Sequence, residues 1–161
     1  MNIAIVGATG NVGIKTLEVL KKKGVFIDNL YLVASSKSAG KKIHFQGKDI
    51  LVSELEDFDF SKVKIAFFAA GGKISEKFAE KAAKHCFVID NSSYFRMDPD
   101  VPLIVPQVNS DDLNNIKKNI IANPNCSTAQ LVIALKTLHD LFIIKRIVVS
   151  TYQSVSGAGK A

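Results

Sequence analysis

Ile3-Ala4-Ile5-Val6-Gly7-Ala8-Thr9-Gly10-Asn11-Val12-Gly13 decides the fold. Its first four residues are apolar and mostly β-branched, as a buried parallel strand requires. Three glycines follow at three-residue spacing. Then Ile14, Leu17, Val19 and Leu20 mark one face of a helix that stops at Gly24. Strand, glycine turn and helix in that order form the context of a dinucleotide-binding fingerprint. Gly7 permits the tight turn, Gly10 lets backbone approach a pyrophosphate, and Gly13 lets the helix pack on the strand. The helix N-terminus then faces the phosphates. The spacing is a G-x-x-G-x-x-G variant, and an ordinary structural turn is the competing reading.

The second strand, Leu30 to Ala34, bears on which dinucleotide. A site for NAD carries an acidic residue about 20 residues after the glycines, at the end of this strand, to hold the ribose 2′-hydroxyl. No acidic residue stands between Asn29 and Lys48. Instead Ser35-Ser36-Lys37-Ser38 follows, with Lys41 and Lys42 beyond. Hydroxyl and ammonium groups suit a 2′-phosphate, so the expected cofactor is NADP. A solvated lysine loop is the alternative.

The rest of the chain alternates. Strands are expected at 2–6, 30–34, 64–69, 87–90, 103–105, 120–122 and 146–152, and helices at 11–23, 74–85, 111–117 and 128–141. A small hairpin, 42–45 with 49–52, sits between the second and third main strands. This order predicts an α/β, doubly wound, mostly parallel sheet with helices on both faces. In such sheets ligands bind beyond the carboxyl ends of the strands. Ala69-Ala70-Gly71-Gly72 ends one strand there, small enough to lie over a cofactor. Asp90-Asn91-Ser92-Ser93 ends the next, with Arg96 close behind. Arginine occurs only at 96 and 146, which marks Arg96 for a bidentate phosphate or carboxylate contact. Its bland alternative is a surface salt bridge with Asp98 or Asp100.

Asn123-Pro124-Asn125-Cys126-Ser127-Thr128 places a thiol just before an apolar run that reads as a helix. Ser127 or Thr128 is the expected cap. A helix N-terminus favours the thiolate, the nucleophilic form. Its free N–H groups also suit an oxyanion formed when a carbonyl is attacked. A lone cysteine in such a place otherwise reads as packing. Cys86, at the start of an apolar strand, reads as packing. None of the three histidines stands at metal-ligand spacing with another His or Cys, and no metal site is expected.

The 161 residues make one domain's worth of chain, and 47% apolar residues supply a core. No stretch approaches the ~20 apolar residues that cross a membrane. The N-terminus reads as a strand rather than a charged-then-apolar leader, so no signal peptide is expected. With only two cysteines, the expected setting is the reducing cytoplasm. The net charge of +6 is almost all lysine, spread along helix faces and loops. Nucleic-acid surfaces cluster basic residues with stacking aromatics, so no such partner is expected. A cationic surface does attract anionic substrates.

Taken together, six stretches resemble the bacterial aspartate-β-semialdehyde dehydrogenase family. They are 7–13, Ala39-Gly40, Asp90 to Met97, Val105-Pro106-Gln107-Val108-Asn109, Ala122 to Thr128, and Ser150 to Gly159. The resemblance covers the entire chain. It implies a Rossmann-like fold and reversible, NADP-dependent interconversion of aspartyl 4-phosphate and aspartate semialdehyde. Cys126 would attack the acyl phosphate, phosphate would leave, and hydride from NADPH would reduce the thioester. Thr9, Gly10, Asn11 and Val12 would line the pyrophosphate. Lys37 and Ser38 would meet the 2′-phosphate beside Ser35 and Ser36, and Ala70 and Gly71 would lie against the cofactor. Arg96 would bind the substrate phosphate, Asn125 would position that group and Gln153 the acyl portion. Ser156 and Gly157 would lie beside the nicotinamide. Departures are Lys37 where arginine is common, a loop one residue shorter, and Ala69 in place of a hydroxyl.

Family members run roughly twice as long. Their remainder supplies a catalytic histidine, a further arginine and lysine for substrate, and the homodimer interface. The expected division is therefore a dinucleotide-binding domain at 1–126 and the start of a catalytic and dimerisation domain at 127–161. The expected partner is a small acyl-phosphate substrate. Competing readings are N-acetyl-glutamyl-phosphate reductase and a folded nucleotide-binding fragment without activity. Asn125 before the cysteine and Ser127-Thr128 after it fit the first family better.

Overall fold

A computed structural model describes residues 1–152 of the chain. A seven-stranded sheet organises them, in the order β3-β4-β2-β1-β5-β6-β7. The strands are β1 (Ile3–Val6), β2 (Leu30–Ala34), β3 (Lys42–Phe45), β4 (Lys48–Glu54), β5 (Ile65–Phe68), β6 (Phe87–Asp90) and β7 (Ile120–Ala122). Only the β3–β4 pair is antiparallel; every other neighbouring pair is parallel.

β1 has all four residues buried, because it lies at the centre and is covered on both faces. Alternate residues feed two cores. Ala4, Val6, Ala66 and Phe68 pack with Phe78, Ala79 and Ala82 of helix α2 (Gly72–Ala83). Ile5, Leu32, Ala34 and Val52 pack with Leu17 and Leu20 of helix α1 (Asn11–Lys22). The sheet is thus doubly wound, as the sequence predicts. Truncating Leu17 or Phe68 to alanine in cores of this kind costs about 2–5 kcal/mol.

From β1 the chain moves to β2 on one side and returns to β5 on the other. The crevice between the carboxyl ends of β1 and β5 is therefore the switch point where ligands bind in such sheets. The registers align Val6, Phe68, Asp90 and Ala122 along that edge, with Val33 opposite Val6 and Glu54 opposite Ala34.

Four expectations change. The hairpin's second strand is longer than the expected 49–52: β4 runs from Lys48 to Glu54 and joins the main sheet beside β2. Leu103 forms one isolated bridge to Ala122, because Pro102 and Pro106 leave no room for a strand. Residues 106–109 form the short helix α3, and 110–115 a 3-10 turn, where a helix over 111–117 was expected. Residues 146–152 carry no strand; a strand needs a hydrogen-bonding neighbour, and none stands beside them among the described residues.

Candidate active site

The carboxyl edge of the sheet opens into a cleft of about 860 Å³. That size suits a cofactor with its substrate. At its centre lies the glycine turn. A Cβ on Gly13 would stand 2.3 Å from the Gly7 carbonyl oxygen, and one on Gly7 2.7 Å from that of Ala69. Both glycines are thus fixed by packing of α1 and of the β5 turn. A Cβ on Gly10 would meet only the Gly7 oxygen, at 3.3 Å, so backbone there is open to a ligand. Gly10 caps α1 with no side-chain hydrogen bond, and no acid stands in the first turn. The free N–H groups and the helix dipole therefore suit a pyrophosphate. These features fit a dinucleotide.

Gly7, Thr9, Gly10, Asn11 and Val12 all line the cleft, as do Ser35, Ser36, Ala70 and Gly71. Lys37 and Ser38 stand just outside it: Lys37 is exposed, and Ser38 Oγ is 3.3 Å from Thr9 Oγ1. Four lining residues escaped the sequence reading: Phe78 of α2, and Glu54, Leu55 and Glu56 at the end of β4. For the last three the signal was the pairing of β4 with β2, which a hairpin read alone conceals. Glu56 is tied to Lys77 at 2.6 Å.

At the other end of the same cleft stand Arg96, Asn125 and Cys126. Arg96 makes no salt bridge among the described residues. Asp98 pairs instead with Lys118 and Asp100 with Lys117. These partners hold the Asp98 carboxyl below its ordinary range, the Lys118 hydrogen bond first, and raise both ammonium groups. Arg96 is anchored by neutral carbonyls: Nε donates to Asn123 O at 3.0 Å and Nη2 to Asn91 O at 3.2 Å. Its charge therefore remains available to an anion. The Asn123 amide donates to Asn91 Oδ1, and beneath them buried Asp90 accepts from Ser75 Oγ and Ser92 Oγ at 2.7 Å each. Asn91 and Asn123 are positioning groups that the sequence quoted without a role.

Cys126 is exposed and opens helix α4 (Cys126–Phe142) rather than preceding it. The cap is Asn125, not Ser127 or Thr128: its Oδ1 accepts from Ser127 N at 3.0 Å and Ser127 Oγ at 2.8 Å. An amide oxygen one residue before the thiol reaches the N2 donor, so the hydroxyls are not needed. Ser127 N–H is thereby taken from the expected oxyanion donors. Asn125 Nδ2 donates to no group among the described residues, which leaves it for a ligand. Cys86 is buried, and burial pushes its thiol up to about 11. None of the three histidines lines the cleft, and no acid, His or Cys cluster among the described residues could hold a metal ion. Gln153, Ser156 and Gly157 lie outside the described residues.

One cleft thus joins a dinucleotide turn to a thiol and an arginine. The family model for the semialdehyde dehydrogenase NAD-binding domain matches residues 2–116. The chain is 53% identical over 162 residues to aspartate-semialdehyde dehydrogenase 2 of Vibrio cholerae. It belongs to the aspartate-semialdehyde dehydrogenase family. That alignment covers 99% of this chain and 48% of the relative, so the chain spans about half the length of the curated relatives it matches. A crystal structure of the Vibrio cholerae enzyme II complexed with ASA superposes with a TM-score of 0.96 at 52% identity, over 99% of this chain and 48% of that one. A Candida albicans aspartate semialdehyde dehydrogenase with NADP matches at TM-score 0.71 and 28% identity, over 89% and 48%. The family match corresponds to the homologous N-terminal, NAD(P)-binding half. No helix among the described residues is long and apolar enough to cross a membrane.

Proposed function

We propose that the chain carries the cofactor-binding and nucleophile-bearing part of an NADP-dependent aspartate-semialdehyde dehydrogenase, acting in cytoplasmic amino-acid biosynthesis. The observation that carries this is the shared cleft: the glycine turn after β1 and Cys126 line one cavity. Residues 1–126 form the dinucleotide-binding domain and 127–161 begin the next. Gly7, Thr9, Gly10, Asn11 and Val12 hold the pyrophosphate, and Ala70 and Gly71 bound it. Ser35, Ser36, Lys37 and Ser38 meet the 2′-phosphate.

Arg96 binds the phosphoryl group of aspartyl 4-phosphate through its unneutralised guanidinium. Asn125 donates its free amide to the same group. Cys126 Sγ, as thiolate, attacks the acyl carbon; the bond to the phosphate oxygen breaks and phosphate leaves with its electron pair. A thioester on Cys126 results. When bound, the nicotinamide of NADPH supplies the hydride that takes this thioester to the aldehyde. Cys126 then departs as thiolate. By resemblance to the family, Gln153 would orient the acyl portion, and Ser156 and Gly157 would contact the nicotinamide. Metabolically, this reaction serves lysine, methionine, threonine and diaminopimelate synthesis.

A second reading, a nucleotide-binding fragment without turnover, is favoured by one observation: no histidine lines the cleft. Lack of a positioned acid–base group costs about 10²–10⁴ in rate. Intact-mass measurement after exposure to aspartyl phosphate tests the proposal. The expected result is one aspartyl group on Cys126 and released phosphate, both absent in Cys126→Ala. An unmodified wild-type chain, or equal modification of the variant, would contradict it.

A further inference from the structure

Glu54 ends β4, and the parallel register sets it directly beside Ala34, the last residue of β2. Neighbouring strands lie about 4.8 Å apart, and paired residues of parallel strands face the same side. Val52 and Ala34 confirm the side, since both pack in the α1 core. The end of β2 is where a site for NAD places the acid that accepts from the ribose 2′-hydroxyl. Here that acid is missing from β2 and stands one strand over, on the same face and in the same cleft as Ser35 and Ser36.

Glu54 is half-buried, and its carboxylate makes no hydrogen bond or ion pair among the described residues. Glu56, by contrast, is held by Lys77. The cation expected at a 2′-phosphate, Lys37, is exposed and outside the cleft lining. At the end of the cleft lined by Ser35 and Ser36, a free carboxylate thus stands inside the lining and the ammonium of Lys37 just outside it. We propose that Glu54 is a specificity-determining residue: it accepts from the 2′-hydroxyl of NAD(H), repels the 2′-phosphate of NADP(H), and so narrows the preference between them.

This rests on the dinucleotide reading of the cleft. The test is fluorescence titration of the full chain with NADPH and with NADH, for wild type, Glu54→Gln and Glu54→Asp. Removing the like charge of half-buried Glu54 is expected to tighten NADPH by about three- to tenfold. Glu54→Gln is also expected to weaken NADH, while Glu54→Asp stays close to wild type in the NADPH-to-NADH ratio. An unchanged ratio in Glu54→Gln, or equal shifts for both cofactors, would overturn the role of Glu54 and leave the cleft reading intact. Wild type that binds neither cofactor would overturn both.

Discussion

The two ends of the cleft are built from different material. The glycine-turn end is backbone, locked between two helices whose inner faces are buried: Leu17 and Leu20 on α1, Phe78, Ala79 and Ala82 on α2. The thiol end is side chains: Arg96, Asn125 and Cys126, the last opening α4, which buries none of its residues fully. The difference separates binding from chemistry. Backbone geometry set by packing is already shaped for a pyrophosphate, whereas side chains on an exposed helix depend on whatever completes their surroundings.

Variants can break this division, starting with the largest effect. Cys126→Ala is expected to abolish acylation by aspartyl phosphate while NADPH affinity stays within about twofold, since the thiol is the nucleophile and has no assigned contact with the adenosine or pyrophosphate. Loss of both would mean that the ends are not separable. Arg96→Lys keeps the charge but not the fork that bonds two carbonyls and leaves further N–H groups for an anion. Acylation should fall by about 10-fold to 100-fold, again without a change in NADPH binding. Gly13→Ala strikes the opposite end. Its Cβ would press on the Gly7 oxygen, which helix and strand fix from both sides. A stability loss of about 1–3 kcal/mol in urea unfolding, with weaker NADPH binding, is expected.

The two cysteines sharpen the same contrast. Iodoacetamide at pH 8 should modify exposed Cys126 and spare Cys86, which burial holds as a thiol up to about 11. The raised value in the folded state favours the protonated form. Its contribution to stability is complete below the unfolded value near 9 and is lost as pH rises through about 11. Cys86→Ala should flatten that part of the stability profile. The smallest effect belongs to Lys37→Gln: NADPH should weaken by about two- to fivefold and NADH not at all, as suits an exposed charge.

What the sequence showed follows the same line. The strand of Ile3 to Val6 and the glycine spacing were legible because burial on both faces and close helix packing each demand particular residue types. Cys126 and Arg96 were legible through rarity and context. The cap was not, because Asn125, Ser127 and Thr128 are all competent acceptors and only geometry ranks them. Glu54 was invisible because a hairpin reads as local, while its partner β2 lies beyond the loop. The strand over 146–152 failed for the reverse reason: β-branched composition specifies an extended segment but does not supply its neighbour.

The account's central claim is that cofactor and thiol share one cavity. Alkylation of Cys126 by iodoacetamide, timed against increasing NADPH, tests it most directly. The rate should fall and saturate with NADPH occupancy, while Cys86 stays unmodified throughout. A Cys126 rate that does not change at saturating NADPH would contradict the claim.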